Sequence, residues 1–424
     1  MEKKVKNKGW IVTFAGTGIN LALGILYTWS IFKGGIKTSI EAGGEKAFNW
    51  DIAALNDPYS LCCLVFAFSM ILAGKCQDKF GPRITAFLGG ILVGLGLLLI
   101  SQSADYTVWM IGFGVLAGAG IGFGYSSATP PALKWFPPAK TGLIAGLVVA
   151  GFGLASVYIA PLSEYLLKIW GIQNSMMFFG IAFMIVVCCL SMLLVNPPQG
   201  YVPEGAQPQS TGQSKSAPLA QINYTASEMM KTGNFYILWV VYLIGAGAGL
   251  MVISSVAGMA KKSMGGAAFL AVAIMAVGNA GGRIIAGIIS DKIGRSYTVF
   301  IMLLFQAVLM FIAIPVVGAE NTNAIILLLL ATFIGFNYGA NLSLFPSITK
   351  DLWGLKNFGI NYGIVFTAWG VGGFLLSRIS QMLQKSSQGN FTSSFIMAGI
   401  LLIIGAILAS TLRTTKGRML NSQK

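Results

Sequence analysis

Long apolar runs recur along nearly the whole chain. Each covers about 20 residues, the length that an α-helix needs to cross the hydrocarbon core of a bilayer. Lipid offers the backbone no hydrogen-bond partners, so runs of this length are expected to be helical. The chain contains twelve such predicted spans, with approximate limits at 10–32, 53–74, 84–102, 107–129, 142–167, 175–195, 235–257, 266–289, 298–318, 323–345, 359–382 and 391–412.

The amino-acid composition excludes most classes of soluble protein. Of the 424 residues, 55% are hydrophobic and 10% are charged, whereas a soluble domain averages about 25% charged residues. The chain has no His, and its five Cys residues show no CxxC spacing, which argues against a metal site, His-based catalysis and a disulfide framework. We therefore predict an all-α membrane protein with no cofactor, no metal and no enzymatic activity.

Positive charge is distributed unevenly between the connections. The formal net charge is +15, from 28 Lys and Arg residues against 13 Asp and Glu residues. If residues 1–9 are cytoplasmic, the connections on that side hold more than twice as many Lys and Arg residues as the outer connections. This asymmetry predicts a multi-pass protein of the cell membrane with both termini in the cytoplasm. The cations suit anionic membrane lipids, and the absence of a polar basic domain argues against nucleic acid as a partner.

Two motifs occur once in each half of the chain. One follows spans 2 and 8, and the other lies in spans 4 and 10. The offset from Gly74 to Gly287 in the first motif equals the offset from Tyr125 to Tyr338 in the second. Such an internal duplication predicts two six-helix bundles, an architecture in which transporters bind substrate at the interface of the repeats.

The stretch between the halves has a different composition. Residues 196–232 are rich in Pro, Gln, Ser, Gly and Thr, which predicts a flexible cytoplasmic linker. The bundles are then expected at 1–195 and 233–424. The end of the linker, around Glu228, suits a short amphipathic helix at the membrane surface.

The first repeated motif has the pattern GxxxDKxG followed by a cation. Its glycines suit a tight turn and the close approach of helices. Its acid and cations occur in both halves of the chain, where two bundles must separate and come together again. A signal for membrane topology would explain the same residues, but we favour a conformational latch. The residues are Gly74, Asp78, Gly81 and Arg83 in the first half, and Gly287, Asp291, Gly294 and Arg295 in the second. The pattern resembles the loop motif of the major facilitator superfamily.

Further segments narrow this resemblance. They are Tyr27-Thr-Trp-Ser, Lys134-Trp-Phe-Pro, Glu228-Met-Met-Lys-Thr, Asn279-Ala-Gly-Gly-Arg283 and Asn361-Tyr-Gly. Together they resemble the branch of oxalate/formate antiporters and monocarboxylate transporters, which includes bacterial lactate transporters. The resemblance implies a secondary transporter, which we expect to be a monomer, that moves a small carboxylate anion by alternating access.

Arg283 is the most informative single residue. It lies inside span 8, more than one turn from the nearer end. An Arg at the bilayer centre costs about 2.5–3.5 kcal/mol on insertion scales, and its guanidinium keeps its proton. An internal ion pair would offset that cost, but no Asp or Glu lies in the middle of a predicted span. A substrate carboxylate, which matches two parallel N–H groups of an Arg, is the favoured partner.

Hydrogen-bond donors accompany this cation. Asn279 lies one turn before Arg283 on the same helix face, although an Asn in a membrane also serves as an interhelical contact. The duplicated pair Tyr125 and Tyr338 is expected to face the central cavity from the two halves. Packing or an interfacial belt would explain a single aromatic residue, and the repeat is what favours a binding role for this pair.

The resemblance assigns more residues to the pocket. Tyr27 and Phe366 match aromatic positions that line the cavity in this branch. The oxalate exchanger has a buried Lys at the position of Trp369 and a polar residue at the position of Leu26. Arg283 is a single cation, so it balances only one of the two negative charges of a dianion. The second charge then lacks the attraction of a charge pair, which at ~4 Å is worth about 4 kcal/mol at an effective dielectric of ~20. We therefore predict a monoanion with an apolar tail, such as lactate, pyruvate or acetate.

Proton coupling has two candidate acids, Asp57 near the outer end of span 2 and Glu164 near the outer end of span 5. Asp57 is placed to take up a proton from outside, whereas its position before Pro58 also fits a helix N-cap. Three functions stay open at this point: proton-coupled symport of a small monocarboxylate, exchange of formate and oxalate-type anions, and a non-transporting membrane receptor on the same fold. The residues favour symport.

Overall fold

The computed structural model describes residues 7–44, 47–137, 141–198, 201–203, 223–318, 323–354 and 357–412. All regular elements within these ranges are helices. Eleven of them have the length and composition to cross a membrane. One of the eleven, Leu143–Ser191, is 49 residues long and breaks at Gly171, where φ is 72°. Since one crossing takes about 20 residues, it represents two spans, and the prediction of an all-α fold with twelve spans is confirmed.

The spans are labelled α1 to α12 in chain order. Gly81 divides the helix Asp57–Ile100 into α2 (57–80) and α3 (82–100), and Gly171 divides Thr141–Ser191 into α5 (141–170) and α6 (172–191). The others are α1 Gly9–Ala42, α4 Tyr106–Leu133, α7 Gly233–Ile253, α8 Phe269–Ile293, α9 Arg295–Gly318, α10 Ala324–Trp353, α11 Phe358–Ser386 and α12 Thr392–Ser410.

Two glycines of the repeated loop motif reverse the chain. Gly81 ends α2 with φ at 83°, and Gly294 caps α8 with φ at 97°. Residues other than glycine rarely adopt a positive φ angle of this size, so both turns depend on glycine. Gly74 and Gly287 differ from them, because space is open where a Cβ would lie. The close helix approach that we expected from the motif is therefore wrong for these two positions.

Helices α8 and α10 cross at very short range. A Cβ at Gly278 or Gly282 of α8 would collide with the carbonyls of Thr332 or Phe336 in α10. Small residues at such crossings let helix backbones pack closely in lipid. The crossing fixes α8 along the stretch that carries the candidate binding residues.

The two halves of the chain meet mainly along two pairs of helices. Helix α2 packs on α11, and α5 packs on α8. We call the end of the bundles with Gly81 and Gly294 the motif face, and the end with Asp57 and Arg378 the opposite face. Helices α5 and α8 run in opposite directions between these faces. Later residues of α5 therefore lie opposite earlier residues of α8.

The predicted linker lies largely outside the described residues. Its last part, from residue 223, is described and contains the short helix Ala226–Met230. Thr225 and Glu228 cap that helix reciprocally, and Met229 is buried while the residues around it are largely exposed. The predicted short amphipathic helix is thus present.

Candidate functional site

Arg283 projects from α8 to the interface between the halves and is 5% exposed. Its Nε donates to Oδ1 of Asn279 at 3.0 Å, and its Nη1 donates to the carbonyl of Val149 in α5 at 2.7 Å. Its Nη2 is buried and has no hydrogen-bond partner among the described residues. None of the ion pairs found within the described part of the chain includes Arg283. The site therefore offers a positive charge and a free donor to a ligand.

Gly153 of α5 makes room for this guanidinium. A Cβ at that position would lie 3.4 Å from Cζ and Nε of Arg283 and 3.5 Å from Nη2. A larger side chain would extend into the space that the guanidinium occupies. Sequence reasoning missed Gly153, because span 5 has many small residues and nothing in the sequence gives its register against α8.

A small pocket lies next to Arg283 and is lined from both halves. Its polar wall consists of Tyr27, Ser156 and Asn279, and its apolar wall consists of Ile253, Val256, Val272, Met275 and Ala276. The α8 residues of the pocket all precede Arg283, so the pocket extends from the guanidinium toward the opposite face. The hydroxyl of Ser156 is buried without a hydrogen-bond partner among the described residues. Ser156 is the second residue that sequence reasoning missed.

Tyr27 and Tyr338 join the two halves at the pocket. Their hydroxyl oxygens are 2.6 Å apart, and Nε1 of Trp369 donates to the hydroxyl of Tyr338 at 2.9 Å. These contacts connect α1, α10 and α11 in one short chain of hydrogen bonds. Leu26 is fully buried beside Tyr27 but is not part of the pocket wall.

Tyr125 belongs to a layer of aromatic rings between the halves. Its ring centroid lies 5.3 Å from Phe152, 5.5 Å from Phe66 and 6.3 Å from Phe366, and Phe366 stacks on Trp369 at 5.0 Å. The hydroxyl of Tyr125 interacts electrostatically with Arg283. The duplicated tyrosines are thus used differently, since only the hydroxyl of Tyr338 bonds to other aromatic side chains.

A second buried cation lies toward the opposite face. Helix α1 continues to Ala42 rather than ending near residue 32, so Lys33, which we assigned to an outer connection, is part of the helix and 9% exposed. Its Nζ donates to Oγ of Ser255 at 2.7 Å and to Oε1 of Gln381 at 3.4 Å. The prediction that Arg283 is the one intramembrane cation was wrong, because the apolar pattern of α1 fades before the helix ends.

Asp57 connects the halves at the opposite face. Asn56 occupies the N-cap of α2, so the N-cap interpretation of Asp57 was wrong. The carboxylate of Asp57 is 3% exposed, accepts a hydrogen bond from the hydroxyl of Tyr106 at 2.8 Å and lies 3.5 Å from Nε of Arg378 in α11.

A second ion pair at this face joins Asp51 to Lys385, with 2.6 Å between Oδ2 and Nζ. The hydrogen bond from Lys385 holds the pKa of Asp51 below its ordinary value, which is about 3.9. Asp51 is therefore ionised at any pH well above 4, and the contribution of this pair to closure is lost only as the pH falls through that lowered pKa. Asp51 is consequently unsuited to take up a proton near neutral pH.

The loop motif of the second half forms a compact ion cluster. Nη2 of Arg295 lies 2.6 Å from Oδ1 of Asp291, and its Nε lies 3.4 Å from Oδ2 of Asp351 in α10. Arg295 also bonds to the hydroxyl of Ser290. These partners all belong to the bundle of Arg295, so the cluster ties α8, α9 and α10 together. In the first half Arg83 is exposed, and the side chain of Asp78 lies outside the described part of the chain.

Comparisons with known proteins agree with this architecture. The sequence matches the family model of the Major Facilitator Superfamily over residues 9–377. The chain therefore belongs to the major facilitator superfamily, a class of membrane transporters and not of enzymes. A crystal structure of a D-xylose-proton symporter shares its fold with a TM-score of 0.71 at 16% identity, covering 96% of this chain and 99% of the symporter.

Curated relatives lie in the branch that the sequence motifs indicated. The chain is 28% identical to the oxalate:formate antiporter of Oxalobacter formigenes, over 93% of this chain and 89% of that protein. It is 25% identical to monocarboxylate transporter 11 of Homo sapiens, over 94% and 82%. It is also 29% identical to the uncharacterized MFS-type transporter YhjX of Escherichia coli, over 86% and 85%. The recognition of the family from its motifs is confirmed.

Proposed function

We propose that this transporter is a proton-coupled symporter of small monocarboxylates such as lactate and pyruvate. The observation that carries the proposal is the free Nη2 of Arg283, a buried donor on a fixed positive charge, whose guanidinium bonds to the pocket residue Asn279 between the halves. A carboxylate at this point satisfies the donor and balances the charge. Asn279 and Tyr27 stand beside it as further hydrogen-bonding groups.

The lining of the pocket favours a monoanion with a short apolar tail. Val272, Met275 and their neighbours form an apolar wall on the side away from the guanidinium, where a second carboxylate would be desolvated without a partner. Lys33 lies almost two turns beyond Tyr27 on α1, about 9 Å along the helix axis, and its partner Ser255 lies between the pocket residues Ile253 and Val256. Lys33 already donates to neutral oxygens.

Alternating access fits the distribution of contacts between the halves. Asn56 donates to Ser254 and to the carbonyl of Ser377 across the opposite face, where the two ion pairs of Asp57 and Asp51 also lie. We infer that the opposite face is extracellular and closed in this structure, and that the motif face and both termini are cytoplasmic. The ion cluster of Arg295 then braces the cytoplasmic side of the second bundle.

Uptake into proteoliposomes tests the proposed function. Purified protein in vesicles without internal anion is expected to accumulate labelled lactate when the outside is made acidic, and to lose this uptake with a protonophore. Strict dependence on an internal anion would instead establish exchange of the kind named for the oxalate:formate relative. Ligand binding without flux or counterflow would establish a receptor.

Replacing Asp57 with Asn is expected to make lactate uptake insensitive to external pH. In the proposal a proton on Asp57 removes the negative charge opposite Arg378, which weakens the contact between α2 and α11 and lets the outer face open. The uncharged Asn mimics that protonated state permanently. The measurement is the initial rate of uptake at external pH values from 5 to 8.

Asp51→Asn is the matched control, since it removes the other ion pair between the halves at the same face. Its uptake is expected to keep the pH dependence of the wild type. A pH profile that is unchanged in Asp57→Asn, or flattened equally in both variants, would contradict the role of Asp57.

A further inference from the structure

We propose that Ser156 binds the oxygen on the second carbon of the substrate, so that the transporter selects 2-hydroxy and 2-oxo monocarboxylates over unsubstituted ones. This inference rests on the proposed function, because it assumes that Arg283 holds the carboxylate. It adds a specificity residue that neither the loop motifs nor the span pattern indicated.

The hydroxyl of Ser156 is a buried polar group without a partner. The residue is 1% exposed, and its Oγ makes no hydrogen bond within the described residues. Serines in helices commonly bond to the carbonyl one turn earlier, as Ser127 does in α4. An unmade hydrogen bond in a buried site costs free energy, so a ligand that supplies the partner gains from it.

The position of Ser156 matches the geometry of a 2-substituted acid. Ser156 lies one turn beyond Gly153 on the same face of α5, and a Cβ added at Gly153 would contact the guanidinium of Arg283. Because α5 and α8 are antiparallel, this turn faces Asn279 and Ala276, which share the pocket with Ser156. A carboxylate at Arg283 therefore places its next carbon toward the hydroxyl.

The opposite wall of the pocket suits the remaining, apolar part of the substrate. Ile253, Val256 and Val272 are apolar and suit a short alkyl tail. A serine hydroxyl both donates and accepts, so it can donate to a keto oxygen and either donate to or accept from a hydroxyl. The pocket thus distinguishes acids that have an oxygen on the second carbon from acids that lack one. It distinguishes 2-hydroxy acids from 2-oxo acids less.

The test compares lactate with propionate, which has the same length and charge but lacks the oxygen on its second carbon. Values of kcat/KM are measured in proteoliposomes for the wild type, Ser156→Ala and Ser163→Ala. Ser163 is the matched control, because it is also a buried serine of α5 without a hydrogen-bond partner among the described residues, but it lies outside the pocket wall.

The wild type is expected to prefer lactate to propionate by about tenfold, a typical effect of one buried hydrogen bond. In Ser156→Ala this ratio is expected to fall to about one, through loss of lactate transport and not of propionate transport. Ser163→Ala is expected to keep the wild-type ratio. Pyruvate should follow lactate in each protein.

Three results would overturn the inference alone. They are a wild type that does not discriminate, an unchanged ratio in Ser156→Ala, and an equal loss for both acids in Ser156→Ala, which indicates a packing role. A wild type that transports neither acid would overturn the proposed function together with the inference.

Discussion

Replacing Arg283 with Ala is expected to reduce lactate transport by about 100-fold or more. The guanidinium is the one charge at the proposed carboxylate position, and truncating one partner of a buried hydrogen-bonded charge pair costs about 2–5 kcal/mol. Each 1.4 kcal/mol corresponds to a factor of ten. The measurement is the initial rate of labelled lactate uptake at a fixed pH gradient.

The fold should survive this substitution. The described partners of Arg283 are the side chains of Asn279 and Tyr125 and a backbone carbonyl, so its removal leaves no buried acid unpaired. It also removes the cost of burying an arginine, which is about 2.5–3.5 kcal/mol at the bilayer centre. The melting temperature of the ligand-free variant is expected to equal or exceed that of the wild type.

Arg283→Lys separates charge from geometry. The ammonium keeps the positive charge but loses the planar fork that matches a carboxylate. We expect intermediate transport, with a raised KM. Wild-type rates in Arg283→Ala would contradict the assignment of the carboxylate site, whatever the lysine variant does.

Replacing Gly153 with Val is expected to abolish most transport although the glycine itself has no functional group. A Cβ at this position meets the guanidinium at 3.4 Å, which is an ordinary contact, so Gly153→Ala should retain substantial activity. The two methyl groups of Val reach further and force Arg283 out of its position. We expect a loss of about 30-fold or more for Val, since displacements of about 1 Å at a binding site can cost about 100-fold.

Gly146 provides the control for this prediction. It lies on the same helix, and space is open where its Cβ would be. Gly146→Val should therefore transport lactate at close to the wild-type rate, which excludes a general effect of valine on α5. Equal losses in Gly146→Val and Gly153→Val, or full activity in Gly153→Val, would show that α5 does not position the guanidinium.

The parts of the site that lie on one helix could be predicted from the sequence. The four-residue spacing of Asn279 and Arg283 placed both on one face of α8, and in the structure they are hydrogen-bonded at 3.0 Å. The long apolar runs predicted the spans for a similar reason, because the thickness of a bilayer fixes the length of a helix that crosses it.

The parts that come from another helix could not be predicted in this way. Val149, Gly153 and Ser156 reach the site because of the register of α5 against α8, which depends on tertiary packing between the halves. Small residues and serines are common throughout membrane helices, so their presence in span 5 carried no signal. A search for one-turn spacings of small and hydroxyl residues on span 5 would have found this face but not its partner.

The opposite face illustrates a different limit. Lys33 was misplaced because the polar residues at the end of α1 look like a connection, although neighbouring helices bury Lys33 itself. Asp57 was read as a cap or a proton acceptor from its own sequence context. Its contacts with Tyr106 and Arg378 involve positions far away in the chain, which local patterns do not connect.

The most direct test of the central claim is a thermal-shift measurement with wild type and Arg283→Ala in detergent. A ligand present at 100 times its dissociation constant stabilises the folded state by about 2.7 kcal/mol. Lactate and pyruvate are expected to raise the melting temperature of the wild type, oxalate to have little effect, and no acid to shift Arg283→Ala. A lactate shift of equal size in Arg283→Ala, or a larger shift with oxalate than with lactate in the wild type, would contradict the account.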